Sequence, residues 1–239
     1  MTHVVHPYVH RLGIIRDWKS RWFTTEPKKY REYLRTDAMV RKFLAKRLRG
    51  MYVASIEIER NDKIYRIMVA TARPGLIIGR SGEGATKLKK EIDMLFRTLK
   101  LASMPEIKID IEEVRSPELS ASIVGQMVVE GLEKRMPFRR VMKQTVEKVM
   151  ANRDVKGVRI ISSGRLGGAE MARKEELKKG RIPLQTLRAD IDFARETARL
   201  PYGAIGIKVW IYRGEVFTDR KANAEEAQTR KERSTRSHE

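Results

Sequence analysis

Apolar positions recur every three to four residues through 26–49, at Leu34, Val40, Phe43, Leu44 and Leu48. Arg41, Lys42, Lys46, Arg47 and Arg49 fill the other face, so an amphipathic helix is predicted. Pro27 suits its first turn and Gly50 its stop. The period then drops to two. "YVASIEIE" (52–59) puts Tyr52, Ala54, Ile56 and Ile58 on one face. "KIYRIMVA" (63–70) follows across the turn Arg60-Asn61-Asp62, which predicts a hairpin. A third strand, "EIKIDIE" (106–112), alternates Ile107, Ile109 and Ile111 with charges. Between the second and third strands lies "PGLIIGRSGEGATKLKKEI" (74–92). Leu76-Ile77-Ile78 reads as a short helical turn, followed by glycines and a helix to about Leu99 striped by Leu88, Ile92, Leu95, Phe96 and Leu99. The predicted order is α-β-β-α-α-β.

A new pattern begins at "VRSPELSAS". Ser116 is read as a helix N-cap, Pro117 as the first helical residue and Glu118 as a favourable charge at the helix start. Leu119, Ile123, Met127, Val128 and Leu132 carry the stripe. Pro137 opens a second helix with Phe138, Val141, Met142, Val146 and Val149 inward. Three strands are predicted after it: 156–163, 187–195 with Leu187, Ala189, Ile191 and Phe193 on one face, and 203–212. "AEMARKEELKKG" (169–180) has helix propensity but sits among strands, and its state stays open. The pattern gives an α+β chain of two domains: 26–113, and 114–217 with two helices packed on a mostly antiparallel sheet. An arm (1–25) that orders on a partner precedes them, and a charged, apolar-poor disordered tail (218–239) follows.

Charge sharpens this picture. Lys and Arg outnumber Asp and Glu by 51 − 31 = 20. A chain this basic repels itself unless it sits beside a polyanion, with nucleic acid first and an acidic membrane surface second. There is no cysteine, which excludes disulfides, thiolate catalysis and Cys-based zinc sites. No apolar run approaches the roughly 20 residues that span a bilayer, and the start lacks the order of a secretory signal. The expected location is the cytoplasm or an organelle matrix. His3, His6 and His10 fit no standard metal spacing and have no carboxylate beside them, so no metal and no cofactor is expected.

The glycine stretch decides between two phosphate chemistries. Gly79-x4-Gly84-Ala85-Thr86 nearly matches a nucleotide-binding P-loop, but Ala85 stands where the phosphate-binding lysine belongs. Pro74 and Gly75 also separate it from the strand that should lead into it. The other reading is Gly79-Arg80-Ser81-Gly82 as a tight link between helices, with Lys87 one turn into the second. Glycines there let a nucleic-acid backbone approach, and the next helix offers free N–H groups to phosphates. Ile77, Ile78 and Leu88 would floor the unstacked bases. A G-x-x-G loop in the order α-β-β-α-α-β is the type II KH arrangement, which clamps single-stranded nucleic acid.

Other charged groups are less specific. Arg139, Arg140 and Lys143 share the polar side of the second C-terminal helix, which by spacing alone reads as a solvated face. In "SGRLGGAE", Gly164, Gly167 and Gly168 flank Arg165, a cation on close-approaching backbone or simply a glycine-rich hairpin loop. Asp190 and Asp192 are the one carboxylate pair tempting for a metal nuclease, and read better as strand-face partners of Arg188 and Arg195.

The segments "RLGIIRDWKSRWF" (11–23), "PGLIIGRSGEGATKLKKEI", "MPFRRVMKQTVEKVM" (136–150), "SGRLGGAEMAR" (163–173), "RIPLQTLRADIDFA" (181–194) and "YGAIGIKVWIYRGE" (202–215) closely resemble the S-three family of bacterial small-subunit ribosomal proteins. The resemblance covers about 5–217. It implies a non-enzymatic protein with no catalytic residue, a KH type II domain and binding to small-subunit ribosomal RNA. It implies contact of the arm with ribosomal proteins S-ten and S-fourteen. It also implies a place on the messenger RNA entry channel shared with S-four and S-five, where Arg139, Arg140 and Lys143 match residues that help unwind the message and Arg165 and Arg173 are further RNA contacts. Two positions depart from the family pattern. Ser81 replaces one of two basic residues usual in the loop, and Thr2, His3 and Val4 replace the usual start. The rivals are a nuclease or lesion lyase, and a stand-alone KH regulator of messages.

Overall fold

The computed structural model describes residues 5–61, 63–99 and 105–217. The tail 218–239, the variant start at Thr2, His3 and Val4, and Asp62 of the predicted turn lie outside the described residues.

The first layer pair is built from α1 (Pro27–Arg47), β2 (Val53–Arg60), β3 (Ile64–Thr71), α2 (Pro74–Ile78), α3 (Glu83–Thr98) and β4 (Glu106–Glu113), preceded by a two-residue strand β1 (Ser20–Arg21). The predicted α-β-β-α-α-β order is present, with β1 added in front. Sheet order is β1-β2-β3-β4. β2 and β3 are antiparallel, while β3 and β4 run parallel because α2 and α3 cross between them. Val40, Leu44, Ile58, Tyr65, Ile67, Ile92 and Phe96 form the core between helices and sheet. Leu34 does not join it: placed in the stripe by spacing, it is exposed.

The second layer pair holds α4 (Ala121–Glu133) and α5 (Phe138–Met150) on a fully antiparallel sheet, β6-β5-β8-β7. Its strands are β5 (Gly157–Gly164), β6 (Arg173–Gly180), β7 (Ala189–Leu200) and β8 (Gly203–Glu215). Val124, Val128, Val141, Val146, Ile160, Val209 and Ile211 interlock between helices and sheet. Within the open segment 169–180, Arg173–Gly180 is the edge strand β6, whose exposed Lys and Glu residues blunt the edge against foreign strands.

Three expectations are corrected here. The helix predicted to start at Pro117, capped by Ser116, starts at Ala121; Pro117–Leu119 is a separate 3-10 turn. The cap comes from the sheet, because the Ala121 N–H donates to the Asp192 carboxylate at 2.8 Å. Leu187 precedes β7 and is exposed rather than part of its inner face.

The third concerns the arm, whose described part, from Val5, is packed on this same chain. Arg11 is fully buried, and its guanidinium donates to the carbonyls of Pro7, Leu184, Thr186 and Ala189 at 2.6–3.2 Å. Arg16 pairs with Asp190 at 2.6 Å, Trp22 donates to Asp37 at 2.7 Å, and β1 lies parallel to β2. His6 stands edge-on to Phe193 at 4.6 Å, over the sheet face that α4 and α5 leave open. The arm thus ties the two layer pairs together, and α4 adds to this: Ser122 and Gln126 both donate to the Val53 carbonyl.

Candidate nucleic-acid interface

Two basic features of the surface are built in different ways. The first is the loop between α2 and α3. Three of its four residues have positive φ: Gly79 at 71°, Ser81 at 51° and Gly82 at 80°. Two are glycines, which occupy that region freely; Ser81 carries a side chain into it, at a cost of about 1–2 kcal/mol. The turn is therefore tight and its backbone exposed. No side chain caps α3, and the N–H of its first residue, Glu83, donates back to the Arg80 carbonyl within the loop. Arg80 and Ser81 point to solvent. Lys87 is also exposed, but its ammonium is 3.2 Å from Glu83 one turn back. Glu83 thus already places a negative charge at the positive end of α3.

Gly84 does a job that motif spacing did not reveal. A Cβ there would lie 2.4 Å from the Ile77 carbonyl oxygen and 2.8 Å from that of Ile78. Its hydrogen lets α2 press directly on α3 and fixes where the loop sits. The apolar residues beside the loop also differ from those expected. Ile77 and Leu88 face the core, and Leu76 joins Ile78 as the exposed pair. The helical turn of α2 rotates Leu76 and Ile78 outward while Ile77 turns in, a periodicity that five residues are enough to show.

The second feature lies where α5 meets β6. α5 buries Val141, Met142, Val146 and Val149 and leaves Arg139, Arg140 and Lys143 exposed. The strand period of β6 turns Glu175 and Leu177 toward α5. Glu175 accepts two hydrogen bonds from Arg139, at 3.1 and 3.2 Å, and sits 3.4 Å from Arg173. Both guanidiniums lie over the Phe138 ring, at 5.6 and 5.7 Å. Arg139 beside it holds the Glu175 carboxyl below the usual carboxylate range. The structure so joins Arg139 and Arg173 through Phe138, expected only as an inward residue of the helix stripe, and through Glu175, which sequence spacing did not single out. Reading 169–180 as a strand would have exposed Glu175. Among the described residues, Arg140 and Lys143 have no carboxylate partner.

Arg165 is engaged separately. It donates to the Ala169 carbonyl at 2.9 Å and the Tyr202 carbonyl at 3.1 Å, so it braces its own glycine loop instead of riding free on it. The two aspartates of β7 also have partners other than those expected. Asp190 is held by Arg16 and Arg213, and Asp192 by Arg213 and the α4 N-terminus. Arg188 instead lies over Phe217. These carboxylates close the arm and α4 onto the sheet.

A glycine loop between two helices on a β2-β3-β4 sheet defines a KH protein of type II, joined to a second α+β unit with a cationic helix face. Comparison with known families agrees: the KH domain model matches residues 39–119, and the model described as "Ribosomal protein S3, C-terminal domain" matches 128–211. A protein named "Small ribosomal subunit protein uS3" from Caldicellulosiruptor saccharolyticus is 44% identical over 225 residues, covering 94% of this chain and 98% of its own. One of the same name from Syntrophobacter fumaroxidans is 46% identical over 217 residues, 91% of this chain and 100% of its own. A third, from Clostridium novyi, is 44% identical over 226 residues, covering 95% and 99%. The chain belongs to the S-three family of small-subunit ribosomal proteins.

Proposed function

We propose that this chain is a structural, non-enzymatic component of the small ribosomal subunit, working in the cytoplasm, and that it presents the α5–β6 rim to incoming messenger RNA. The observation that carries the rim is its charge. Arg139, Arg140 and Lys143 on one helix face are joined by Arg173 from the neighbouring strand, and Glu175 pairs with Arg139 and Arg173 alone of the four. Single-stranded RNA brings a line of phosphates to such a face and releases its counterions. Unwinding is passive: the rim holds an opened strand while the ribosome supplies movement.

In this reading the KH loop, Gly79 to Gly82 with Lys87, meets small-subunit ribosomal RNA through backbone and shape more than through charge. Arg165, which braces its glycine loop, and Arg173 belong in this reading to the messenger RNA entry channel. The arm's exposed Trp18 and Phe23, the latter 85% accessible, support contact with proteins S-ten and S-fourteen, with S-four and S-five across the channel.

A tagged chain in a cell lysate sedimented through sucrose tests the structural role. Stoichiometric migration with small subunits and whole ribosomes is expected. Migration at the top of the gradient contradicts it and favours a free KH regulator.

A further inference from the structure

The rim has three parts with one function assigned to them and one left over: the carboxylate. On a face that is to receive phosphates, an acid is out of place unless it acts. Glu175 binds Arg139 through Nε and Nη2, the guanidinium edge suited to grip a phosphate bidentately. It also draws Arg173 to the same Oε1 oxygen. Arg139 is 70% exposed at its side chain and Glu175 26%, so the anion sits behind the cation and within reach of it. Phe138 beneath both guanidiniums keeps them in place when they let go of the acid.

We infer that Glu175 is a built-in competitor for RNA phosphate, parking Arg139 and Arg173 so that the rim grips a passing strand weakly. This rests on the RNA-facing reading of the rim given above. Each arginine–phosphate contact formed breaks an arginine–carboxylate contact of similar kind, so gripping and releasing are nearly balanced. A strand that must slide past the rim needs that balance; unopposed arginines would hold it. Arg140 and Lys143, which have no acid partner among the described residues, supply the steady attraction.

The test is binding of the full chain to a fluorescein-labelled, unstructured 15-nucleotide RNA across a salt series. Four variants are compared with the parent: Glu175→Gln, the triple Arg139→Ala/Arg140→Ala/Lys143→Ala, the double Arg139→Ala/Arg173→Ala, and that double with Glu175→Gln added. The Glu175→Gln chain should bind about three- to tenfold tighter at low salt, the range set by one or two released surface ion pairs, with a steeper salt dependence. Against the double background the same change should add nothing. If Glu175→Gln binds no tighter while the triple binds more weakly, the inference falls and the rim reading stands. A gain that persists in the double background also overturns it, since general charge would then be the cause. If the triple binds like the parent, the rim does not hold single-stranded RNA, and both fall.

Discussion

The KH loop and the α5–β6 rim are both read as RNA surfaces, yet they are made from opposite materials. The loop is backbone: two glycines at positive φ, one glycine under a helix crossing, and an exposed cation at Arg80. The rim is side chain: four cations, an acid and a ring on elements whose backbone is ordinary. A surface made of backbone fails when a Cβ is added and depends less on salt. A surface made of charge fails when charge is removed, leaving the fold untouched. The two regions therefore separate shape from electrostatics within one molecule.

Substitutions can press on that contrast. The largest effect is expected from Gly84→Ala. The new methyl would meet backbone oxygen at 2.4 Å, which no side-chain rotation relieves. Alanine's helix propensity offsets only about 1 kcal/mol of the clash, and a net loss of about 1–3 kcal/mol is expected in denaturant unfolding. An unchanged midpoint would mean that α2 is not pinned to α3. Next is the triple Arg139→Ala/Arg140→Ala/Lys143→Ala. Its melting temperature should match the parent's, while the slope of log binding constant against log salt for single-stranded RNA should shrink by about two. A large melting shift would show that these cations support the fold.

Two smaller changes test the loop at one position. Ser81→Gly should raise stability by up to about 1 kcal/mol, because the residue sits at φ 51°. Loss of stability would contradict the strain. Ser81→Arg restores the second basic residue of the family pattern and should steepen the salt slope by about 0.7. If it does not, phosphate does not pass within reach of that side chain.

How much of this was legible depended on how local the cause was. The strands 53–60 and 203–215 and the helix at 138–150 could be read because apolar residues recur in each at the period of its own secondary structure. The edge strand 173–180 could not, since its exposed Lys and Glu residues favour helix and only pairing with β5 makes it a strand. The α4 start was misplaced because its cap, Asp192, lies 71 residues away. The arm was expected to wait for a partner because nothing local to Arg11 announces carbonyls contributed by 184–189. At the site, the G-x-x-G glycines and the α5 cations were visible as motif and period. Glu175, the place of Phe138 under two arginines and the load on Gly84 were not, because each acts across a tertiary contact.

The central claim is that the rim helps a structured message enter the ribosome. Ribosomes carrying Arg139→Ala/Arg140→Ala/Lys143→Ala should be timed on two messages that differ only in a stable hairpin downstream. Slower passage through the hairpin, with the unstructured message translated at the parent rate, is the predicted result. Equal speed on both messages would contradict it.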